Sequence, residues 1–205
     1  MKPLLPAFAF ATAVTFAGAP VALAVPITFE ATLTGGAEIP PNSSTATGFT
    51  TVVLDPDLHT LHVQFTFSGL SSGTTAAHIH CCIDAVTPPN GNLIVATTTP
   101  FFPGFVTGVT TGTYDNTLDL TQMSSFNSAF VNDPTVGSVL AAEHALEAAI
   151  EAGTAYLNIH TMNFPGGEIR GYLVPVPEPA SLSLLATALV GFGLLRRRRN
   201  GERTG

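Results

Sequence analysis

A chain of 205 residues is long enough for one well-buried domain with tails, and its 7 basic against 14 acidic residues give a net charge of −7. Only 10% of the residues are charged and 45% are hydrophobic, but the apolar ones crowd at the two ends, which are set aside before a fold is argued. Between residues 25 and 175, Arg170 is the single basic residue against twelve acids, a net −11 with histidine neutral; so acidic a domain repels phosphate backbones, which excludes nucleic acid and leaves cations or neutral glycans as partners.

Met1 to Ala24 reads as a secretory signal peptide. Lys2 is its short basic region, Ala7 to Val21 its apolar run, and Ala22-Leu23-Ala24 has the small-x-small pattern of a cleavage site. The domain of residues 25–175 then begins with a strand in which Ile27, Phe29, Ala31 and Leu33 alternate with polar residues up to Gly35-Gly36. Gly48 to Leu54 and Leu58 to Phe67 are predicted to form a hairpin that turns at Asp55-Pro56-Asp57. In its second strand Leu61, Val63, Phe65 and Phe67 face the core, which leaves His62 and Gln64 outside.

Ala76 to Cys82 alternates again, so His78 and His80 share one face while Ala77 and Ile79 share the other. Asn92 to Thr98 is a further strand, Phe101 to Phe105 an aromatic loop suited to capping the core, and Gly108 to Leu120 a predicted strand pair broken at Asp115-Asn116. One helix runs from the N-cap Ser138 to Gly153, burying Val139, Leu146 and Ile150 and exposing Glu143, Glu147 and Glu151. Ala155 to His160 is the next strand, with Asn158 and His160 on one side, and it pairs through a loop with Gly167 to Leu173. Both histidine strands are expected to end at His80 and at His160, where one polar corner forms. Short strands with frequent turns predict an all-β sandwich with one helix inserted near the C-terminal end.

Residues 176–205 carry a different signal. Pro177-Glu178-Pro179 precedes Ser181 to Leu195, all apolar or small, and then Arg196, Arg197, Arg198 and Arg199. Fifteen helical residues rise about 23 Å, short of a ~30 Å hydrocarbon core, and the arginines hold the far end in the cytoplasm. This tail resembles the PEP-CTERM sorting signal. The resemblance implies recognition and cleavage by an exosortase in a Gram-negative bacterium, after transient anchoring in the inner membrane, and release to the cell surface or the exopolysaccharide matrix.

Six motifs in order, Phe29-Glu30-Ala31-Thr32-Leu33, Gly36-Ala37-Glu38-Ile39-Pro40-Pro41, Phe67-Ser68-Gly69-Leu70, Ala77-His78-Ile79-His80, Tyr156-Leu157-Asn158-Ile159-His160-Thr161 and Pro165-Gly166-Gly167-Glu168-Ile169-Arg170-Gly171, resemble the CHRD (chordin-type) domain. The resemblance spans residues 27–174 and implies a Greek-key, immunoglobulin-like β-sandwich of secreted proteins with no established reaction. Where many relatives have Gly-Pro after the second histidine, this chain has Cys81-Cys82.

Two cysteines in an exported chain predict a disulfide, either vicinal or intermolecular. The rival reading takes His78, His80 and His160, with Cys81 or Cys82, as ligands of copper or zinc. Alternatively, histidines and Asn158 form a hydrogen-bond network that fastens the strands. Glu168 and Arg170 share a face in the last strand, and Arg170, the only fixed cation of the domain, calls for a carboxylate partner that locks the hairpin. No Gly-x-Ser-x-Gly, P-loop or His-Glu-x-x-His motif occurs, so catalysis has little support. The reading is a binding or structural module at the cell surface, with exopolysaccharide or other surface components as partners; the alternative is an extracytoplasmic copper or zinc protein, redox-active in one version.

Overall fold

Alternating side chains with β-branched and aromatic residues at every second position build nine strands in a computed structural model that describes residues 25–84 and 92–177. The expected signal peptide, Glu178, Pro179 and the tail beyond them lie outside these residues, and among the described residues no helix is long and apolar enough to cross a membrane. The strands are β1 (Ile27–Thr34), β2 (Thr47–Asp55), β3 (Thr60–Ser68), β4 (Thr74–Asp84), β5 (Leu93–Val95), β6 (Gly112–Asp119), β7 (Tyr156–Thr161), β8 (Ile169–Tyr172) and β9 (Val174–Pro175). Two helices, α1 (Ser128–Val131) and α2 (Val139–Glu151), separate β6 from β7.

All pairings are antiparallel. Eight strands run in the order β5-β4-β7-β8-β1-β2-β3-β6, and β9 pairs with β1. The sheet curls because its two halves feed one apolar core: Phe29, Leu33, Val52, Val63 and Phe65 from one, Ala77, Ile79, Leu157, Ile159 and Ile169 from the other. The two halves join where β8 meets β1, at the registered pair Thr34 and Arg170. The loop Phe101 to Phe105 caps this core, as its composition predicts. Phe102 is fully buried and stacks on Tyr114 at 5.3 Å, and Tyr114 stacks on Phe65 at 5.0 Å.

Several local expectations hold for the reasons that raised them. Asp55 Oδ1 accepts from the Asp57 and Leu58 amides and closes the β2–β3 turn. Ser138 Oγ accepts from the Ala141 amide at the start of α2, and Gly153, at φ +68°, ends it. Others need correction. Residues 112–119 form one unbroken strand, because Asp115 lies on the solvent face and its carboxylate accepts from Gln64 and meets His62 at 2.7 Å. Glu143 is not solvated: it is 2% exposed and meets His59 Nδ1 at 2.7 Å, while Glu151 is exposed. Finally, β4 continues to Asp84, so His80 lies inside the strand rather than at its end; His160 is one residue from the end of β7.

Candidate functional site

The register of β4 on β7 pairs His78 with Asn158, His80 with Tyr156 and Ala76 with His160. Ala77, Ile79, Leu157 and Ile159 point into the core and are fully buried. The histidines and Asn158 therefore stand on the outer face of the sheet. They are nevertheless buried, at 6, 7 and 9% exposure for His78, His80 and His160, because the start of β5 and two loops, around Pro100 and Pro165, meet them on that face.

Each of these segments contributes a backbone carbonyl to one ring. His78 Nε2 lies 2.5 Å from Pro100 O, His80 Nδ1 2.7 Å from Leu93 O and His160 Nδ1 3.0 Å from Pro165 O. A carbonyl only accepts, so the bonded nitrogen carries the hydrogen and the other bears a lone pair. Those others, His78 Nδ1, His80 Nε2 and His160 Nε2, are buried without a hydrogen-bond partner. The ring centroids are 5.2 to 5.8 Å apart, and one nitrogen from each ring lies within 4.8 Å of the other two.

Burial pushes all three rings toward the neutral form. It lowers His78 to about 4, with the His160 charge adding and the Pro100 carbonyl opposing. It lowers His80 to about 3, against the Leu93 carbonyl and with help from His160, His78 and Arg170. His160 falls in the same direction by burial, opposed by the Pro165 carbonyl and aided by Arg170.

Beside the rings, Arg170 is 1% exposed. Its Nε donates to Glu38 Oε2 at 2.5 Å, its Nη2 donates to Asn92 Oδ1 at 2.7 Å, and its guanidinium lies 4.3 Å over the Tyr156 ring, which stacks on His80 at 4.9 Å. Burial raises the Glu38 carboxyl even against the charge and hydrogen bond of Arg170. Arg170 thus has the carboxylate partner that its charge demands, and the partner is Glu38, from the loop after β1. Glu168 instead accepts from Ser44 Oγ, Ser71 N and Oγ, and Thr161 Oγ1, at 2.6 to 3.0 Å. Burial opposes its charge, but these donors outweigh it and hold Glu168 below the usual carboxylate range. Asn158 lies beside Glu38 without hydrogen-bond geometry to it, under Gly167, where a Cβ would come within 2.7 Å of both side chains.

Cys81 and Cys82 are joined to each other in a disulfide, so neither offers a thiolate, and Cys81 points into the core. The sulfur half of the predicted ligand set is therefore absent from the group that converges. Of the predicted site residues, the structure brings together His78, His80, His160, Asn158 and Arg170. It adds Glu38, Asn92 and Tyr156, which sequence reasoning missed; the Glu38-Ile39-Pro40-Pro41-Asn42 turn was the available signal for Glu38.

On the other half of the sheet the outer face is open. Thr32, Phe49, Thr66 and Thr113 align across β1, β2, β3 and β6, and Phe49 is 45% exposed. A shallow pocket at this place is lined by Thr32, Thr47, Phe49 and Thr66 among others.

Comparison with the curated proteins finds no match. Two family models do match: the CHRD domain over residues 29–173 and the PEP-CTERM protein-sorting motif over residues 175–199. The motif places the chain among proteins of Gram-negative bacteria that are held at the membrane, processed by exosortase, and secreted or left at the cell surface. The chain belongs to the CHRD-domain family, as an exosortase-sorted extracellular protein.

Proposed function

We propose that the domain is a binding module of the exopolysaccharide matrix or cell surface, and that it offers the open face of β1, β2, β3 and β6 to a neutral polysaccharide. The observation that carries this reading is the row Thr32, Phe49, Thr66 and Thr113. Threonine hydroxyls both donate and accept, which matches sugar hydroxyls, and a phenyl ring left half in solvent offers a flat apolar surface to the C–H face of a pyranose. The domain's charge supports the choice of a neutral chain, since twelve carboxylates repel a polyanion.

The test is affinity electrophoresis of the protein, recovered from the producing cells, through gels containing their own exopolysaccharide. Retardation is expected for the native protein, with a roughly tenfold weaker interaction for Phe49→Ala. Equal retardation of the two, or none for either, would overturn the reading.

A further inference from the structure

We infer that His78, His80 and His160 form a site for one copper(I) ion, bound by His78 Nδ1, His80 Nε2 and His160 Nε2. The inference rests on the buried polar layer and is independent of the glycan face.

The three rings are prepared as ligands in three respects. Their tautomers are set, because each donates its other N–H to a backbone carbonyl, the arrangement that orients metal-bound imidazoles and raises their basicity. Their lone pairs are free, because these nitrogens are buried with no other partner. They also converge: one nitrogen from each ring lies within 4.8 Å of one from each of the others, and bonds of ~2.0 Å to one ion require ligand nitrogens roughly 3.5 Å apart, within reach of side-chain rotation.

Other occupants satisfy the cluster less well. A water molecule donates two hydrogen bonds and so leaves one of three buried acceptors bare. A network among the rings themselves fails because each has already used its only N–H on a carbonyl. A metal ion accepts all three lone pairs at once.

The donor set selects the ion. No thiolate is present, since Cys81 and Cys82 are paired, and among the described residues no carboxylate converges with the three rings. Three neutral imidazoles leave the full ionic charge in a buried layer, and the cost of burying charge grows with its square, so a monovalent ion is favoured over a divalent one. Copper(I), filled-shell and content with three nitrogens, fits; zinc(II) calls for a fourth ligand. The remaining described histidines are committed elsewhere or exposed: His59 meets Glu143, His62 meets Asp115, and His144 lies on the solvent side of α2.

The test uses the chain as isolated from producing cells, stripped with a chelator and titrated anaerobically with copper(I) as its bicinchoninate complex. Withdrawal of one equivalent is expected. His80→Gln and His160→Gln, checked for folding by circular dichroism, should bind at least 100-fold more weakly, while His62→Gln and Phe49→Ala bind like the native chain. X-ray absorption of the native copper(I) form should show three nitrogen scatterers at about 2.0 Å and no sulfur, a readout that needs no variant to fold. The inference is overturned if no copper(I) is withdrawn, if sulfur enters the shell, if folded His80→Gln binds as tightly as the native chain, or if zinc(II) occupies the three nitrogens and copper(I) does not displace it.

Discussion

Replacing Arg170 by methionine keeps much of the side chain's volume and removes its charge from beside Glu38, which is 4% exposed. Breaking a buried ion pair by removing one partner costs about 3–5 kcal/mol. An independent limit comes from Glu38 itself, which escapes the penalty by taking up a proton. From its ordinary value of 4.5, protonation at pH 7 costs about 3.4 kcal/mol, at roughly 1.4 kcal/mol per pH unit. The expected loss at pH 7 is therefore about 3 kcal/mol, plus up to about 1 kcal/mol for the cation over the Tyr156 ring. The sign of the pH dependence follows: a carboxyl raised by burial binds its proton more readily folded than unfolded, so the variant recovers stability as the pH falls from 7 toward 4.5. Loss of the guanidinium also eases protonation of His80 and His160, which acts in the same direction. Glu38→Gln in the Arg170→Met background isolates the carboxylate and should restore about 2 kcal/mol at pH 7 and little at pH 5. Urea midpoints of the three proteins at both pH values decide it. A deficit in Arg170→Met that is the same at pH 7 and pH 5, and that Glu38→Gln does not relieve, would refute the argument.

Mass spectrometry of the surface-localised protein should find a carboxyl terminus that lacks Arg196 to Arg199, since the sorting motif covers residues 175–199; intact arginines there would contradict processing. Gly167→Ala should cost at least about 1 kcal/mol in thermal unfolding, because φ is +126° and a Cβ would meet Asn158 and Glu38 within 2.7 Å. Glu168→Gln should cost about 1.5–3 kcal/mol at pH 7, the value of charge-assisted hydrogen bonds. As the folded pKa of Glu168 lies below the ordinary 4.5, its contribution is full above that value and is lost as the pH falls further, so native and variant stabilities should converge in acid.

The local half of this structure was legible. Period-two alternation put His78 and His80 on one face, and Asn158 and His160 on one face, because side-chain direction along a strand depends only on counting. The aromatic cap and the ends of α2 were legible for the same reason, being properties of a few adjacent residues. What failed was inference from local polarity to exposure. His80 reads as a strand-end residue, yet β4 runs on through Cys81 and Cys82 and β5 pairs beside it, with the Leu93 carbonyl on its ring. Glu143 sits in a run of acids four apart that reads as a solvated face, but His59, from the turn between β2 and β3, reaches it. Arg170 announced a partner, but the residue that answers is 132 positions away, and Glu168, two positions away, is held by hydroxyls instead. Sequence distance hides such pairs because the sheet order, which brings β8 beside β1, is set by the whole core.

The covering segments, the start of β5 and two loops, meet the histidine rings with carbonyls of Leu93, Pro100 and Pro165. A carbonyl is present whatever the residue, so the ring orientations are fixed by the path of the backbone and leave no mark in the residue types at those three positions. The path in turn is held by side chains that do leave a mark: Asn42 Nδ2 donates to the carbonyls of Gly167 and Glu168, Asn92 Nδ2 donates to Ile39 O, and the Leu93 amide donates to the Tyr156 hydroxyl. Arg170 joins this set through Glu38 and Asn92, tying the loop after β1 to the loop before β5. The ion pair thus acts on the histidines at one remove, by fixing loops whose backbones hold the rings. That is why Asn42 and Asn92, which hold the backbone around the rings, belong to the site as much as the histidines themselves.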